Sequence, residues 1–433
     1  MRRFAVLLLA FAACTPHTQG ISPKLSAREA LRHSIDSLAS NPIFRNSNMG
    51  ILIVNPRTGD TLYSLNAGRL FMPASNEKIL TGTVALAQLG PDYRFTTTFA
   101  SLGAKRDTVL DGDLIVIGRG DPTVSDHAQG KAMDWMARIA DSLSARGIKR
   151  IEGSLIRGGN AFPDTIYGYG WEYDDLLTES GAPIDELLYD EGMTKMRTQI
   201  AGRDTIIDIA TRTPYRTYLE ALDSALVAKG IRVARGVSDN IATIPNPAPA
   251  PLFSVTSPPL RDILKLLEKP SQNQIAEILL RTMGLEKTGI GTADSGAAVV
   301  TRQLLAWGAE RDGFRVYDGS GMSRHDLVSP ETIVRALTAI QKDTAFHVFY
   351  DALPIAGVDG TLRTRMVGTR AAGNMRAKTG TLQFVRSLSG YITDIDGDQL
   401  VFSLLHNHFI TSVNNVSEFQ NQVGALLANY RTH

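Results

Sequence analysis

The sequence predicts an α/β (α+β) protein in which an antiparallel sheet flanked by helices is interrupted by a β-rich insert. Three observations support this fold class. β-Hairpin patterns lie near both ends of the chain, long helical patterns adjoin them, and short β-type runs with two helices fill the middle. With 433 residues, the chain is long enough for two or three structural units at roughly 150 residues per domain.

The composition is that of a soluble globular protein and narrows the classes of function. Hydrophobic residues make up 43% and charged residues 21% of the chain, both ordinary for a folded domain. The 45 Lys and Arg against 44 Asp and Glu leave a net charge of +1. This balance argues against nucleic acid as the main partner, because no basic surplus is available to neutralise phosphates. The single cysteine excludes an internal disulfide framework and a Cys-rich zinc site.

The N-terminus is typical of an export signal. Met1-Arg2-Arg3 precedes an apolar run over residues 4–13, which is too short to span a bilayer as a stable helix. Cys14 follows directly and resembles the acylated residue of a lipoprotein processing site, the alternative being soluble release by cleavage after Ala10-Phe11-Ala12. We therefore predict a leader and tether over residues 1–23 and a location in the periplasm or cell envelope, with a lipid anchor at Cys14. No later segment predicts a transmembrane helix.

The first part of the main domain is predicted over residues 24–92. Ser26 and Glu29 form a capping box ahead of a helical pattern. Apolar runs at 51–54 and 61–63, joined by a turn at 55–60, predict a hairpin. A second helix follows residue 75 and ends at Gly90.

Residues 93–251 are predicted to form the inserted β-rich region. Short β-type runs occur at 95–99, 114–117, 151–156 and 205–209, with helical stretches near 131–146 and 217–229. Alternating prolines then predict an extended connector, at Pro245, Pro247, Pro249 and Pro251.

The main domain resumes over residues 252–433. Helices are predicted at 260–267, 275–283 and 297–307. A hairpin follows at 387–393 and 400–405, and a helix over 413–430 closes the chain.

Ser75-Asn76-Glu77-Lys78 is the first candidate for chemistry. Positions i and i+3 share a helix face, so the Lys78 amine can reach the Ser75 hydroxyl. A lysine kept neutral can take the serine proton, and a helix N-terminus favours developing negative charge. Taken alone, the motif also fits a surface helix turn with a capping serine.

Two later motifs extend the pattern. Ser271-Gln272-Asn273 begins another helix, although Ser271 and Gln274 alone would also fit a capping box. Lys378-Thr379-Gly380-Thr381 lies at the start of a strand pattern and suits an extended peptide that ends in a carboxylate. There, glycine would let the substrate backbone approach closely. The alternative is an exposed edge strand on which lysine guards against aggregation.

The order of the three motifs is more specific than any one of them. Ser-x-x-Lys, Ser-x-Asn and Lys-Thr-Gly in this order are typical of penicilloyl serine transferases. Here the chain resembles the D-alanyl-D-alanine carboxypeptidase/endopeptidases of the class C, type-4 low-molecular-mass penicillin-binding proteins. The resemblance covers nearly the whole mature chain and includes several further runs, at residues 112–114, 120–123, 170–171, 181–183, 318–324 and 356–362.

The resemblance implies a penicillin-binding/serine β-lactamase-like transpeptidase domain and a serine D,D-peptidase acting on peptidoglycan stem peptides. Ser75 resembles the nucleophile that forms the acyl-enzyme, and Lys78 resembles its general base. Ser271 would pass the proton to the leaving amine. Burial and the positive field of Lys378 should keep Lys78 partly neutral. β-Lactams would be covalent inhibitors, and no metal or organic cofactor is needed.

The remaining roles concern substrate binding. By position, Asn273 would hydrogen-bond the substrate backbone, and Lys378 and Thr379 would hold its terminal carboxylate. The backbone N–H groups of Ser75 and Thr381 resemble the oxyanion hole. The alternatives are a β-lactamase or D-esterase, against which the long Ser75–Ser271 interval counts, and a non-catalytic peptidoglycan-binding scaffold. Carboxypeptidase or endopeptidase preference and the oligomeric state stay open.

Overall fold

The computed structural model describes residues 25–128, 130–200, 202–244 and 251–432. The predicted leader over 1–23, the lipid anchor at Cys14 and the connector prolines Pro245, Pro247 and Pro249 lie outside these ranges. Within the ranges, none of the helices has the length and apolar character needed to cross a membrane.

The helices occupy both halves of the main domain and one layer of the insert. They are α1 (Ala27–Ala39), α2 (Glu77–Leu89), α3 (Ala132–Ala145), α4 (Pro214–Ala228), α5 (Leu260–Glu268), α6 (Asn273–Thr288), α7 (Ala293–Ala306), α8 (Pro330–Ile340), α9 (Phe346–Ala352) and α10 (Val413–Ala428). All predicted helices are present within a few residues of the expected bounds. α8 and α9 were not predicted from the sequence, although Ser329 caps α8 by accepting from Thr332 N–H at 3.1 Å.

The strands form one large sheet in the main domain and smaller sheets elsewhere. They are β1 (Asn48–Asn55), β2 (Asp60–Leu65), β3 (Thr96–Ala100), β4 (Lys105–Arg106), β5 (Val109–Leu110), β6 (Leu114–Ile117), β7 (Arg150–Ile151), β8 (Leu155–Gly158), β9 (Met193–Ile200), β10 (Arg203–Ala210), β11 (Arg232–Val233), β12 (Val237–Ala242), β13 (Phe253–Thr256), β14 (Phe314–Arg315), β15 (Leu327–Val328), β16 (Arg376–Leu382), β17 (Val385–Thr393) and β18 (Gln399–Asn407).

The main sheet combines strands from the two ends of the chain. Its order is β16-β17-β18-β1-β2, and every neighbouring pair is antiparallel. On one face, Ile51 and Ile53 pack with α1 and α10, whereas Leu52 faces the core around α2 on the other. Alternating apolar residues thus bury both faces, and helices flank the sheet as the sequence predicted.

A local sequence signal accounts for the start of α1, one of the helices that flank this sheet. Ser26 Oγ accepts from Glu29 N–H at 3.2 Å, and the Glu29 carboxylate accepts from Ser26 N–H at 2.8 Å. The predicted capping box at the start of α1 is therefore confirmed.

The middle of the chain has a core of its own. Its sheets have the orders β12-β8-β6-β3-β13 and β11-β7-β5-β4, and α3 and α4 pack against their core. The β9–β10 hairpin forms a separate two-stranded sheet. β13 belongs to this layer although it lies beyond the predicted boundary at residue 251.

One predicted strand of the insert is wrong in its extent. The run 151–156 is divided between β7 and β8, which belong to different sheets. Gly153 lies at the break, and a methyl group there would lie 2.2 Å from Asp113 Oδ1. The chain changes sheets at this close approach, which apolar periodicity alone does not reveal.

Candidate active site

Ser75 and Lys78 lie at the start of α2, where a 3-10 turn over Ala74–Asn76 leads into the helix. Lys78 Nζ lies 2.8 Å from Ser75 Oγ, the contact that their i, i+3 spacing predicts. Asn76 fixes this turn to the main sheet, since its Nδ2 donates to Lys378 O at 2.8 Å. Lys78 is fully buried, so the interpretation of the motif as a surface helix turn is wrong.

The Lys78 amine contacts three oxygen acceptors. Besides Ser75 Oγ, it contacts Asn273 Oδ1 at 2.6 Å and Ser320 O at 2.8 Å. Burial, followed by the charge of Lys378, lowers the pKa of Lys78 to about 7. A substantial fraction of this amine is therefore neutral near pH 7, as a base for the Ser75 proton requires.

Ser271 and Asn273 reach the same cluster from the start of α6. Ser271 has a φ of +72°, and its Oγ accepts from Lys378 Nζ at 2.7 Å. The capping-box interpretation is wrong, because the side chain of Gln272 caps α6 by accepting from Ile275 N–H. Asn273 uses its two amide atoms separately: Oδ1 meets Lys78, and Nδ2 donates to Ser180 O at 2.9 Å.

Lys378 to Thr381 lie on β16, which is an edge strand of the main sheet. Ala377 N–H donates to Pro354 O at 3.0 Å, on the side away from β17. Because backbone groups alternate in direction along a strand, the N–H groups of Thr379 and Thr381 also face away from β17. Lys378 itself is fully buried, so it is not a solvent-exposed guard of the sheet edge.

Two groups near this strand were not singled out as site residues from the sequence. Thr379 Oγ1 donates to Thr361 Oγ1 at 2.8 Å, and the Arg386 guanidinium contacts Thr381 Oγ1. Thr361 lies in one of the runs that carried the resemblance, but no spacing rule connects it to β16. Arg386 of β17 lies opposite Thr381 of β16, and this register is known only once the hairpin is folded.

Gly380 has a different explanation from the one the sequence suggested. A methyl group on Gly380 would lie 2.1 Å from Ser387 Oγ, 2.8 Å from Pro73 O and 2.9 Å from Ser75 N. Glycine is therefore needed here because the turn that carries Ser75 packs directly against β16. This contact brings the N–H groups of Ser75 and Thr381 to the same part of the site.

Two buried carboxylates, those of Glu277 and Asp318, fix the loop that contacts Lys78. Glu277 Oε1 accepts from Gly319 N–H and from Ser320 N–H, each at 2.9 Å. Asp318 accepts from Gly321 N–H at 2.6 Å. These bonds fix the loop whose carbonyl at Ser320 contacts Lys78, so Ser320 contributes a backbone atom to the site.

Glu268 is a further buried acid of this region. It is the last residue of α5 and is completely buried. Burial raises the pKa of Glu268 to about 7, whereas the charges of Lys378 and Lys78 act in the opposite direction. No sequence motif pointed to this residue.

A group of potential metal ligands lies outside the reactive cluster. Ligand atoms of His127, Glu179 and Glu191 lie within 4.8 Å of one another. Glu191 Oε1 already accepts from Ser125 Oγ and contacts His127 Nδ1, each at 3.0 Å. None of these side chains contacts Ser75 or Lys78 in the part of the chain that the structure describes, so the chemistry does not depend on them.

The arrangement is suited to nucleophilic acyl transfer. A serine hydroxyl contacts a partly neutral amine, and the backbone N of Ser75 lies next to Gly380 of β16. A second ammonium group, on Lys378, contacts the Ser271 hydroxyl and can attract an anionic group.

Comparisons with known proteins agree with this chemistry. The model of the D-Ala-D-Ala carboxypeptidase 3 (S13) family matches residues 31–220 and 200–430. A D-alanyl-D-alanine carboxypeptidase of Actinomadura sp. strain R39 is 31% identical over 90% of this chain and 84% of its own length. The D-alanyl-D-alanine carboxypeptidase DacB of Haemophilus influenzae is 26% identical over 84% of this chain and 86% of its own length.

Solved structures share the fold. Penicillin binding protein 4 (dacB) from Haemophilus influenzae superposes with a TM-score of 0.79 at 23% identity, covering 92% of this chain and 99% of that one. The predatory peptidoglycan endopeptidase Bd3459 from Bdellovibrio bacteriovorus gives a TM-score of 0.56 at 17% identity, covering 88% and 92%. The predicted transpeptidase-type fold is therefore confirmed.

Proposed function

The chain belongs to the D-Ala-D-Ala carboxypeptidase 3 (S13) family, and on that premise we propose that it is a serine D,D-peptidase of peptidoglycan stem peptides. It would form an acyl-enzyme on Ser75 and be inhibited by β-lactams. The observation that carries this proposal is the 2.8 Å contact between Ser75 Oγ and the buried Nζ of Lys78.

The acylation step follows from this contact. Ser75 Oγ attacks the carbonyl carbon of the penultimate D-alanine while its proton passes to the neutral Lys78 amine. The carbonyl oxygen becomes an oxyanion, which accepts from the N–H groups of Ser75 and Thr381. Burial of Lys78 supports this step, because it keeps part of the amine neutral near pH 7.

Collapse of the tetrahedral intermediate requires a proton on the leaving amine. Ser271 Oγ contacts Lys378 Nζ at 2.7 Å, and Asn273 joins this helix start to Lys78. We assign Ser271 to relay to the leaving nitrogen the proton that Lys78 took from Ser75, which returns Lys78 to its neutral form, while the C–N bond breaks and the terminal D-alanine or the partner strand leaves. Water then adds to the acyl carbon with Lys78 again as base, which releases the shortened peptide and free Ser75.

The substrate lies along β16 in this proposal. Its backbone would pair with the open edge at Thr379 and Thr381 and accept from Asn273 Nδ2. Its terminal carboxylate would bind the Lys378 ammonium and the Thr379 hydroxyl, whose proton would turn to the carboxylate from its present acceptor, Thr361 Oγ1 at 2.8 Å.

The domain assignment and location complete the proposal. Residues 24–92 and 252–433 form the peptidase domain, supported by the pairing of β1 with β18, except that β13 pairs with β3 of the insert. Residues 93–251 form the insert, supported by their separate core. A signal over residues 1–23 would direct the chain to the periplasm or cell envelope, with a lipid anchor at Cys14.

Labelling with a fluorescent penicillin tests the function. The purified wild-type protein should give one stable adduct by intact mass, and Ser75→Ala should give none. Ser142→Ala on the exposed face of α3 is the matched control and should label like the wild type. Hydrolysis of a synthetic stem peptide and of a cross-linked dimer then separates carboxypeptidase from endopeptidase activity.

Two results would contradict the proposal. Undiminished labelling of Ser75→Ala would place the nucleophile elsewhere. A folded wild-type protein with neither an adduct nor hydrolysis of the probe would favour the scaffold hypothesis, whereas rapid turnover of the penicillin would favour a β-lactamase.

A further inference from the structure

Glu268 combines complete burial with a lack of hydrogen bonds. Its residue is 0% exposed, and neither carboxylate oxygen has a hydrogen-bond partner in the described part of the chain. Burying a carboxyl group without partners is costly, so such a group needs another source of stabilisation or a function. Its position directly before the turn that carries Ser271 places it next to the active site.

The neighbouring helix is adapted to this carboxylate. A methyl group on Gly82 of α2 would lie 2.7 Å from Glu268 Oε1 and 3.4 Å from Phe349 of α9. Glycine inside a helix costs about 1 kcal/mol relative to alanine, and here it leaves room for the carboxylate. Gly82 follows Lys78 by four residues, so the carboxylate packs against the helix face that carries Lys78.

The charges around the site make Glu268 distinctive. The charge of Lys378 lowers the pKa of Lys78 of α2, and three acids raise it: Asp318, Glu268 and Glu277. Glu268 raises the pKa of Lys378 of β16, and Arg386 of β17 lowers it. Among these acids, Glu268 is therefore the one that acts on both lysines. The α9 helix also packs on α5, but its acidic residue Asp351 forms an ion pair with Arg376.

We propose that Glu268 is a positioning residue of the active site, whose buried carboxylate is the counter-charge shared by Lys78 and Lys378. It holds the proton on Lys378 for carboxylate binding while Lys78 stays available as the base. This inference rests on the proposed D,D-peptidase function and specifies which buried charge supports the protonated form of Lys378 beside a second lysine.

The direction of the expected pH effect follows from the signs of these interactions. Burial lowers the pKa of Lys378 to about 8, and Glu268, which carries its charge above its own pKa of about 7, opposes this shift. Lys378 therefore binds a carboxylate below about pH 8 and loses this ability as the pH rises. Without the charge of Glu268, Lys378 would lose its proton at a lower pH.

Glu268→Gln tests this role with two substrates. The alkaline limb is the part of the pH profile on which kcat/KM falls as the pH rises. For a stem peptide ending in free D-Ala-D-Ala, this limb should move to a pH lower by about one unit, mainly through a rise in KM. At a given pH on the limb, kcat/KM should therefore be about tenfold lower than in the wild type. The same peptide with an amidated terminus does not need the Lys378 charge. Its kcat/KM should fall by no more than about threefold, the effect of a weaker Lys78 base.

Two further variants control the comparison. Glu268→Asp retains the charge and should keep most of the wild-type alkaline limb. Glu77→Gln removes another buried carboxyl group. Burial raises the pKa of Glu77 well above the ordinary value and so keeps it protonated, and Glu77 does not shift the pKa of Lys378. Its alkaline limb should match the wild type. Should Glu268→Gln fail to fold, Gly82→Ala, whose methyl displaces the carboxylate, should move the limb in the same direction.

The outcomes distinguish this inference from the proposed function. An unchanged alkaline limb in folded Glu268→Gln, or an equal loss for both substrates at every pH, would overturn the role of Glu268 while leaving the peptidase function intact. Absence of penicillin labelling in the wild type would overturn the proposed function itself.

Discussion

Gly380→Ala is the most direct test of how the active site is assembled. The structure explains this glycine by the packing of β16 against the turn at Pro73 to Ser75, not by the approach of a substrate. The added methyl would lie 2.1 Å from Ser387 Oγ and 2.9 Å from Ser75 N. Ser387 Oγ donates to Pro73 O at 2.7 Å, so the methyl enters the space that this hydrogen bond occupies.

The magnitude follows from these distances. The Ser387 hydroxyl must move by about 1 Å to reach ordinary contact, which breaks its buried hydrogen bond. The lost hydrogen bond and the overpacking together should lower the free energy of unfolding by about 2–5 kcal/mol. Displacement of the Ser75 N–H, the proposed oxyanion donor, should lower the rate of acylation by about 100-fold.

Stopped-flow acylation by a fluorescent penicillin and thermal unfolding measure the two effects. Gly68→Ala is the matched control, because its methyl would lie 3.6 Å from the nearest atom, Glu331 Oε2, in an exposed turn. Acylation of Gly380→Ala within threefold of the wild type, with an unchanged melting temperature, would refute the reasoning. A rise in KM alone would instead support the explanation from the sequence, in which glycine makes room for substrate.

Two further predictions concern charge. Burial and the charge of Lys378 bring the pKa of Lys78 to about 7, and its neutral form is the proposed base, so acylation of the wild type should rise about tenfold per pH unit below pH 7 and level off above it. Lys78→Met should acylate about 10²–10⁴-fold more slowly. An undiminished rate in Lys78→Met would exclude Lys78 as the base. Arg57 and then Asn55 hold the pKa of Asp398 well below its usual range, so its contribution to stability is present above about pH 4 and is lost as the pH falls. Asp398→Asn should therefore melt at a lower temperature than the wild type at pH 7, and this difference should shrink progressively as the pH falls below about 4. A constant difference would contradict the ion pair with Arg57 at 2.5 Å.

The sequence predicted the reactive cluster better than it predicted the support around it. Spacing within a helix is local, so the Ser75–Lys78 contact could be anticipated. The meeting of Lys378 with Ser271 depends on a sheet edge and a helix start far apart in sequence, and it was expected through the order of the three motifs. The left-handed backbone at Ser271 has no such signal, because serine seldom adopts it.

The supporting groups could not be predicted for physical reasons. Glu268 ends an amphipathic helix, where a carboxylate ordinarily lies in solvent, and its burial results from tertiary packing against Gly82. The reason for Gly380 was missed because a glycine in a strand does not reveal what approaches it. The division of the run 151–156 was missed for a similar reason, since apolar residues do not specify which sheet they join.

The pairing of β1 with β18 also determines when the site can exist during synthesis. Asn48 lies opposite Asn407 in this ladder, so the main sheet stays incomplete until nearly the whole chain has left the ribosome and any export channel. Ser75 is therefore made early but lacks Lys378 until the last strands arrive. Long-range pairing of this kind is slow, whereas the insert can consolidate its own core first. The enzyme is thus inert as a nascent chain, and losing the C-terminal hairpin would return it to that state.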